Sequence, residues 1–175
     1  MAGIYTVGAQ SQTVVRNNRI HDLQDNPEGC VVGLLLDEGT SDLLIENNAV
    51  YRTAAGAICC NYGKNIAISN NIFINDGWLL LLTRREPHRT LIFERNFVGL
   101  RSPHLLEWTH GITRCEEALF RENVYLRLSG QEPIFGSLDF TKWRASGQDE
   151  GSLAAKIGFK KLNLFKVGVR KNGHG

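Results

Sequence analysis

An asparagine recurs through the first two thirds of this chain inside one short apolar frame, at positions 18, 48, 71, 96 and 123, with spacings of 30, 23, 25 and 27. Repetition at this period means a single supersecondary unit stacked on itself, because no unit of that length can bury its apolar face alone. Residues 14–20, 44–50, 67–73, 92–98 and 119–125 align without gaps around the asparagine.

The columns of that alignment identify the unit. Three residues before the asparagine stand Val15, Ile45, Ile68, Phe93 and Phe120; two after it stand Ile20, Val50, Phe73, Val98 and Tyr125. β-Branched and aromatic side chains at these positions suit strands facing a core. Two before the asparagine the residues are Arg16, Glu46, Ser69, Glu94 and Arg121, a position that period-2 alternation turns toward solvent. Parallel coils bring equivalent residues to about 4.8 Å, so Arg16 over Glu46 and Glu94 over Arg121 attract. The asparagine is expected at the turn between two strands, in the left-handed conformation, with its amide bonded to its neighbours above and below. Leucine-rich repeats carry a comparable ladder, but their L-x-x-L-x-L rhythm is missing here.

The expected fold is therefore all-β: a right-handed, single-stranded parallel β-helix. One domain spans 1–175, with coils over 3–130, a cap over 131–155 and a tail over 156–175. The repeat is expected to stop after Tyr125, and residues 137–147 read as a short capping helix. Ser137 is its expected N-cap, Phe140 and Trp143 share a face, and Gly147 ends it. Gly3-Ile4-Tyr5 already reads as strand, so the first coil has no cap. Its open edge is expected to favour a homo-oligomer through the exposed solenoid end, or a place inside a longer solenoid.

Composition narrows the function classes. A chain of 175 residues with 42% hydrophobic content builds one core, which excludes a large multidomain enzyme. Twenty basic against 18 acidic side chains leave a net charge of +2 and no basic stripe, so nucleic acid is not an expected partner. The longest apolar run, Trp78–Leu82, is far short of the roughly 20 residues that span a bilayer. Met1-Ala2-Gly3-Ile4 lacks the regions of a signal peptide, so the chain as written is expected to be soluble and cytoplasmic, with no membrane partner. Cys30, Cys59, Cys60 and Cys115 form no C-x-x-C pair and have no histidine at metal spacing; reduced thiols are expected, without zinc site or disulfide framework. The carboxylates do not cluster as a calcium cage requires, and no cofactor is expected.

Several short motifs go beyond coil periodicity: Asp37-Glu38-Gly39-Thr40, Tyr62-Gly63-Lys64, Arg84-Arg85-Glu86-Pro87-His88, Phe93-Glu94-Arg95-Asn96 and Trp143-Arg144-Ala145-Ser146-Gly147-Gln148-Asp149. In this order and spacing they resemble the C-terminal coils of bacterial right-handed parallel β-helix carbohydrate-active enzymes, similar to glycoside hydrolase families that include fucosidases and xylanases. The resemblance covers roughly residues 3–155. It implies a sugar-binding outer face, Asp37 as a catalytic carboxylate, and relatives that are often exported. Where those relatives carry H-x-H-Y-G-K, this chain has Cys59-Cys60-Asn61-Tyr62-Gly63-Lys64; Leu35 replaces an aromatic, and Lys156-Ile157-Gly158-Phe159 replaces D-P-x-F. A shortened or catalytically degenerate member is the form such departures imply.

Glycoside hydrolysis needs two carboxyl groups, about 5–5.5 Å apart for retention or about 6.5–9.5 Å for inversion. Counting eleven residues back from each ladder asparagine gives the column Val7, Asp37, Cys60, Arg85 and Ile112, which offers Asp37 no second carboxylate. The next column, Gly8, Glu38, Asn61, Glu86 and Thr113, sets Glu38 and Glu86 two coils, or about 9.6 Å, apart. Asp37 or Glu38 with Glu86 are thus the candidate acid and base. The plainer alternative makes Glu38 part of a turn with Gly39 and pairs Glu86 with Arg84 or Arg85. Asn61, Tyr62, Arg84, Arg85 and His88 are the candidate substrate contacts, arginine by its bidentate fork and tyrosine by its ring, with a salt-bridged surface as the alternative. His21-Asp22 reads as a local turn hydrogen bond before an acid catalyst. Cys59 and Cys60 must face opposite sides of a strand, with no imidazole to activate either. Residues 78–82 read as a buried strand, and Trp108 and His110 fall in the long fourth connection. The expected partner is a polysaccharide or oligosaccharide, with a structural solenoid or a polysaccharide lyase as alternatives.

Overall fold

The computed structural model describes residues 1–24, 30–108 and 117–156. Five successive coils each contribute one strand to each of three sheets. The first sheet holds β1 (Ala2–Thr6), β4 (Val32–Leu36), β7 (Gly56–Cys60), β10 (Trp78–Leu82) and β13 (His104–Trp108), then β16 (Ile134–Phe135) and β17 (Leu138–Asp139). The second holds β2 (Ala9–Arg16), β5 (Thr40–Glu46), β8 (Gly63–Ser69), β11 (Leu91–Glu94) and β14 (Ala118–Arg121). The third holds β3 (Arg19–Leu23), β6 (Ala49–Thr53), β9 (Ile72–Asn75), β12 (Phe97–Leu100), β15 (Val124–Arg127) and β18 (Leu153–Lys156). Every pairing is parallel except β16 with β17. Sequence order within each sheet steps by one coil, which is the topology of a parallel β-helix, as the repeat predicts.

The asparagines form one continuous vertical row. Each side-chain amide donates to the oxygen of the next: Asn18 to Asn48 at 2.9 Å, Asn48 to Asn71 at 3.0 Å, Asn71 to Asn96 at 3.0 Å and Asn96 to Asn123 at 3.4 Å. The same oxygens accept the backbone N–H of the rung before, at 2.9 to 3.0 Å. Buried backbone donors at the turn are thereby satisfied without water, which an apolar side chain in the row would leave orphaned.

The left-handed residue is not the ladder asparagine, however, but the one before it: Asn17, Asn47, Asn70, Arg95 and Glu122 all lie at φ of 53 to 59°. The ladder residue must aim its amide inward along the stack, so its predecessor makes the reversal. Among residues with a side chain, asparagine tolerates that backbone best, which accounts for the Asn-Asn pairs; Arg95 and Glu122 adopt it at a cost of about 1 kcal/mol each.

The apolar columns stack in register, Val15–Ile45–Ile68–Phe93–Phe120 from the second sheet and Ile20–Val50–Phe73–Val98–Tyr125 from the third. Leu34, Ile58, Leu80 and Leu106 close the core from the first sheet. Toward the last coil the filling becomes aromatic, Phe73, Phe93 and Phe120 following one another at 5.6 and 5.1 Å. The column expected to face solvent does so only in part. Ser69 and Glu94 are buried, Glu94 under Arg95 and Arg121, whose Nε donates to Glu94 Oε2 at 2.6 Å.

The capping helix, α1 (Phe140–Ala145), is shorter than expected, and its N-cap is Asp139 rather than Ser137: Asp139 Oδ1 accepts from Lys142 N at 2.8 Å. Gly147 follows at φ 87°, in the terminating place predicted for it. Trp143 is fully buried, stacked on Phe135 at 4.8 Å and edge-on to Phe120 at 5.5 Å. The repeat also runs past Tyr125. Glu150 bridges Arg121, Gly151 takes the left-handed place at φ 71°, Ser152 Oγ accepts from Asn123 N at 2.7 Å, and β18 pairs with β15. A serine rung hid this sixth strand. Trp108 likewise belongs to a coil strand, β13, rather than to a connection, while His110 and Cys115 lie outside the described residues. No helix among the described residues is long and apolar enough to cross a membrane.

Candidate functional site

The candidate residues gather where the strands of the first sheet end and the chain turns toward the second. Leu36, Cys60 and Leu82 are in register, so the residues that follow them, Asp37, Asn61 and Thr83, continue one column. Hydrogen bonds tie that column together: Asn61 Nδ2 donates to Asp37 Oδ1 at 2.9 Å, and Thr83 Oγ1 donates to Asn61 Oδ1 at 2.6 Å. From the first coil, Tyr5 Oη donates to Asp37 Oδ2 at 2.8 Å. Both carboxylate oxygens of Asp37 therefore have a donor. The amide of Asn61 foremost, then the Tyr5 hydroxyl and the Glu38 backbone, hold the Asp37 carboxyl below its usual range. The same carboxylate pushes the Tyr5 hydroxyl up.

This register corrects the column that placed Asn61 between Glu38 and Glu86 and set Asp37 against Cys60. Asp37 precedes its ladder asparagine by eleven residues, Asn61 by ten and Thr83 by thirteen, because the intervening loops differ in length. Counting back from the ladder cannot absorb that difference. Tyr5 and Thr83 were missed for the same reason, although each sits one coil from a recognised residue.

Glu38 stands beside Gly39, which has φ 74°, in a turn closed by Thr40 N donating to Asp37 O at 2.9 Å. Its side chain is exposed and lies 3.8 Å from Arg84. Arg84 also covers the Tyr62 ring, with its guanidinium carbon 4.8 Å from the ring centre. Glu86 is the more sheltered of the two glutamates, and its neighbour is His88, at 3.9 Å, rather than an arginine. His88 Nε2 bonds the carbonyl of Gly63 at 3.0 Å, which pins the segment between β10 and β11 against the preceding coil. Arg85 is exposed.

A recess of about 250 Å³ opens here, lined by Ser41, Tyr62, Gly63, Lys64, Glu86 and His88. Gly63 is obligatory in it, since a Cβ at that position would sit 2.0 Å from the carbonyl oxygen of Thr40. The close approach of the second and third coils that this glycine permits is where Ser41 and Lys64 pair in register. Ser41 and Lys64, in register on β5 and β8, join the candidates named from sequence. Asp37 does not line the recess.

Other candidates stand apart. His21 Nδ1 meets Asp22 Oδ2 at 2.6 Å, and Arg52 grips the same carboxylate through Nε at 2.5 Å and a terminal nitrogen at 2.6 Å, holding Asp22 far below its usual range. His21 also stacks on Tyr51 at 4.8 Å. This is a local turn cluster. Cys60 is buried and Cys59 half-buried; burial pushes their thiols up to about 12 and about 11 respectively, so neither is a thiolate near neutral pH. Among the described residues no group of three or more histidine, cysteine, aspartate or glutamate side chains is disposed to hold a metal ion.

Residues 1–97 match a family model described as right handed beta helix region, more than half of the chain. No curated protein and no solved structure matches it.

Proposed function

The chain belongs to the right handed beta helix family, and from that premise we propose that it is a glycan-binding β-helix whose contact wall is the Tyr62–Glu86–His88 recess. The observation that carries this reading is the recess itself, a concave patch of about 250 Å³ that sets an aromatic ring beside hydroxyl, ammonium, carboxylate and imidazole groups. Sugars need that mixture: a ring face for their C–H surface and several donors and acceptors for their hydroxyls. Arg84 holds the Tyr62 ring from one side, and Lys64 adds an exposed cation to the wall.

Binding is better supported than turnover. Asp37, with both oxygens engaged and its carboxyl held ionised, is poorly suited to donate a proton to a leaving group. Hydrolysis would fall to Glu86 as acid with Glu38 or Asp37 as base. A panel of plant and algal oligosaccharides, assayed for binding and for reducing-end release, tests both forms. Binding that Tyr62→Ala abolishes, without release, is the expected outcome; silence in both assays sinks the reading.

Self-association is the second reading. It is favoured by β1, β2 and β3, each of which has one strand neighbour, and by the exposure of Met1, Tyr5, Val7 and Val14 on the same coils. Sedimentation at a mass of 19.6 kDa, independent of concentration, removes it.

A further inference from the structure

A second recess, of about 280 Å³, lies on the outer face of the second sheet against Asn65, Ile66, Ala67, Arg89, Leu91 and Ile92. One small side chain, Ala67, stands in its lining. The outward column here runs Val14, Leu44, Ala67, Ile92 and Leu119 in register, and only the alanine is short; the recess lies where Ala67 meets Ile92. Arg89 borders the recess, exposed and without an ion-pair partner among the described residues. Asn65, which also lines it, donates its amide to Asp42 Oδ1 at 3.0 Å. That leaves the Asn65 carbonyl oxygen to accept.

The two recesses adjoin. Lys64 and Asn65 are consecutive, as are His88 and Arg89, and in each pair the first residue lines the Tyr62 recess and the second lines the Ala67 recess. The Tyr62 recess reaches from the second coil, through Ser41, to the fourth, and the Ala67 recess is held between the third and fourth. Each alone falls below the roughly 300 Å³ at which small-ligand sites begin.

We infer that the Ala67 recess is a second subsite of the same glycan wall, so that the ligand is an oligomer lying across the solenoid axis in the groove between the third and fourth coils. This rests on the glycan-binding reading above. One unit meets Tyr62; a following unit sets its C–H face on Ala67 and Ile92, with Arg89 donating to its hydroxyl or charged substituents and Asn65 accepting.

Isothermal titration with xylo-oligosaccharides and oligogalacturonates of one to six units, on the wild type, Ala67→Leu, Arg89→Ala and Tyr62→Ala, tests it. Leucine at 67 matches its neighbours Leu44 and Ile92 in the column and faces outward, and thermal unfolding verifies that the variants fold. Wild-type affinity is expected to rise with chain length. Ala67→Leu and Arg89→Ala each remove that gain by roughly tenfold, and the shortest ligand that binds is held as before. Affinity independent of length, or an unchanged length dependence in both variants while Tyr62→Ala still abolishes binding, overturns the second subsite and leaves the first recess standing. Failure of the wild type to bind either series overturns both.

Discussion

The side-chain amide of Asn123 donates to Oδ1 of Asp149 at 3.1 Å, so the asparagine row ends on a buried carboxylate. Ser152 Oγ at 2.6 Å, Tyr125 Oη at 2.9 Å and Trp143 Nε1 at 2.6 Å donate to the same group. Ladder, core and capping helix thus converge on one side chain.

Burial raises the Asp149 carboxyl above its ordinary value despite those four donors. A carboxyl raised in the folded state favours the fold most below the unfolded value, about 3.9, and that contribution is lost as pH rises through the folded value. Asp149→Asn removes the titration and also sets an amide N–H₂ among donors. The variant is expected to be destabilised throughout, with the wild type's advantage largest at acid pH and shrinking toward neutrality. Urea unfolding of both proteins between pH 3.5 and 7 measures it; an advantage that grows with pH contradicts the assignment.

Asn71→Ala removes the middle rung. It leaves the carbonyls of Ile45 and Ser69 and the N–H of Asn48 without their side-chain partner in a site that excludes water. A loss of about 3 kcal/mol or more is expected by chemical denaturation. Asn18→Ala, at the partly exposed first rung, should cost less than half as much. Equal losses at the two positions would deny the ladder its buried character.

Gly63→Ala is expected to lower stability by about 1–3 kcal/mol, because Thr40 O would have to move away from the new methyl group. Gly130→Ala is a suitable control, since its added methyl meets nothing within 4 Å although its φ of 76° still strains an alanine. Thermal unfolding compares them, and glycan affinity should fall only in the first.

Asp37→Ala separates binding from turnover. With Asp37 outside the recess lining, affinity for a bound oligosaccharide should change by less than roughly threefold, whereas Tyr62→Ala removes binding. An Asp37→Ala protein that binds normally but loses a measurable reducing-end release would instead restore the hydrolase reading.

Thiol reactivity reports the core. At pH 8, Cys30, which is exposed, should alkylate before Cys59 and Cys60, whose thiols are pushed up to about 11 and about 12. Site-resolved mass spectrometry follows each, and Cys60 should react only on unfolding.

Sequence reasoning recovered the fold because the stack writes itself into the chain: an asparagine that satisfies buried amides, and apolar residues three before and two after it, recur wherever a coil passes the same corner. Legibility ended where that mark changes. Ser152 performs the duty of a ladder asparagine in a different residue type, so the sixth strand was lost. β13 lies far from the next ladder motif, so Trp108, which ends it, reads as part of the fourth connection. The candidate wall was only half legible. Tyr62, Glu86 and His88 do share a recess, whereas the Asp37–Asn61 bond depends on two loop lengths that spacing from the ladder cannot supply. Tyr5, Thr83 and Ser41 carry no motif, and only their coil neighbours identify them.

Strand pairing in all three sheets joins each coil only to the next. Stability in such an array passes from neighbour to neighbour and fades with distance. The fourth coil stands between Tyr62, on the third, and the partners of Asp149 on the fifth, so an injury at Asp149 should leave the Tyr62 ring nearly undisturbed, and variants at these two residues should combine additively. An engineer can therefore retune the Tyr62 side of the wall and the end of the stack as independent parts, a freedom that a globular core, where each side chain answers to most others, does not grant.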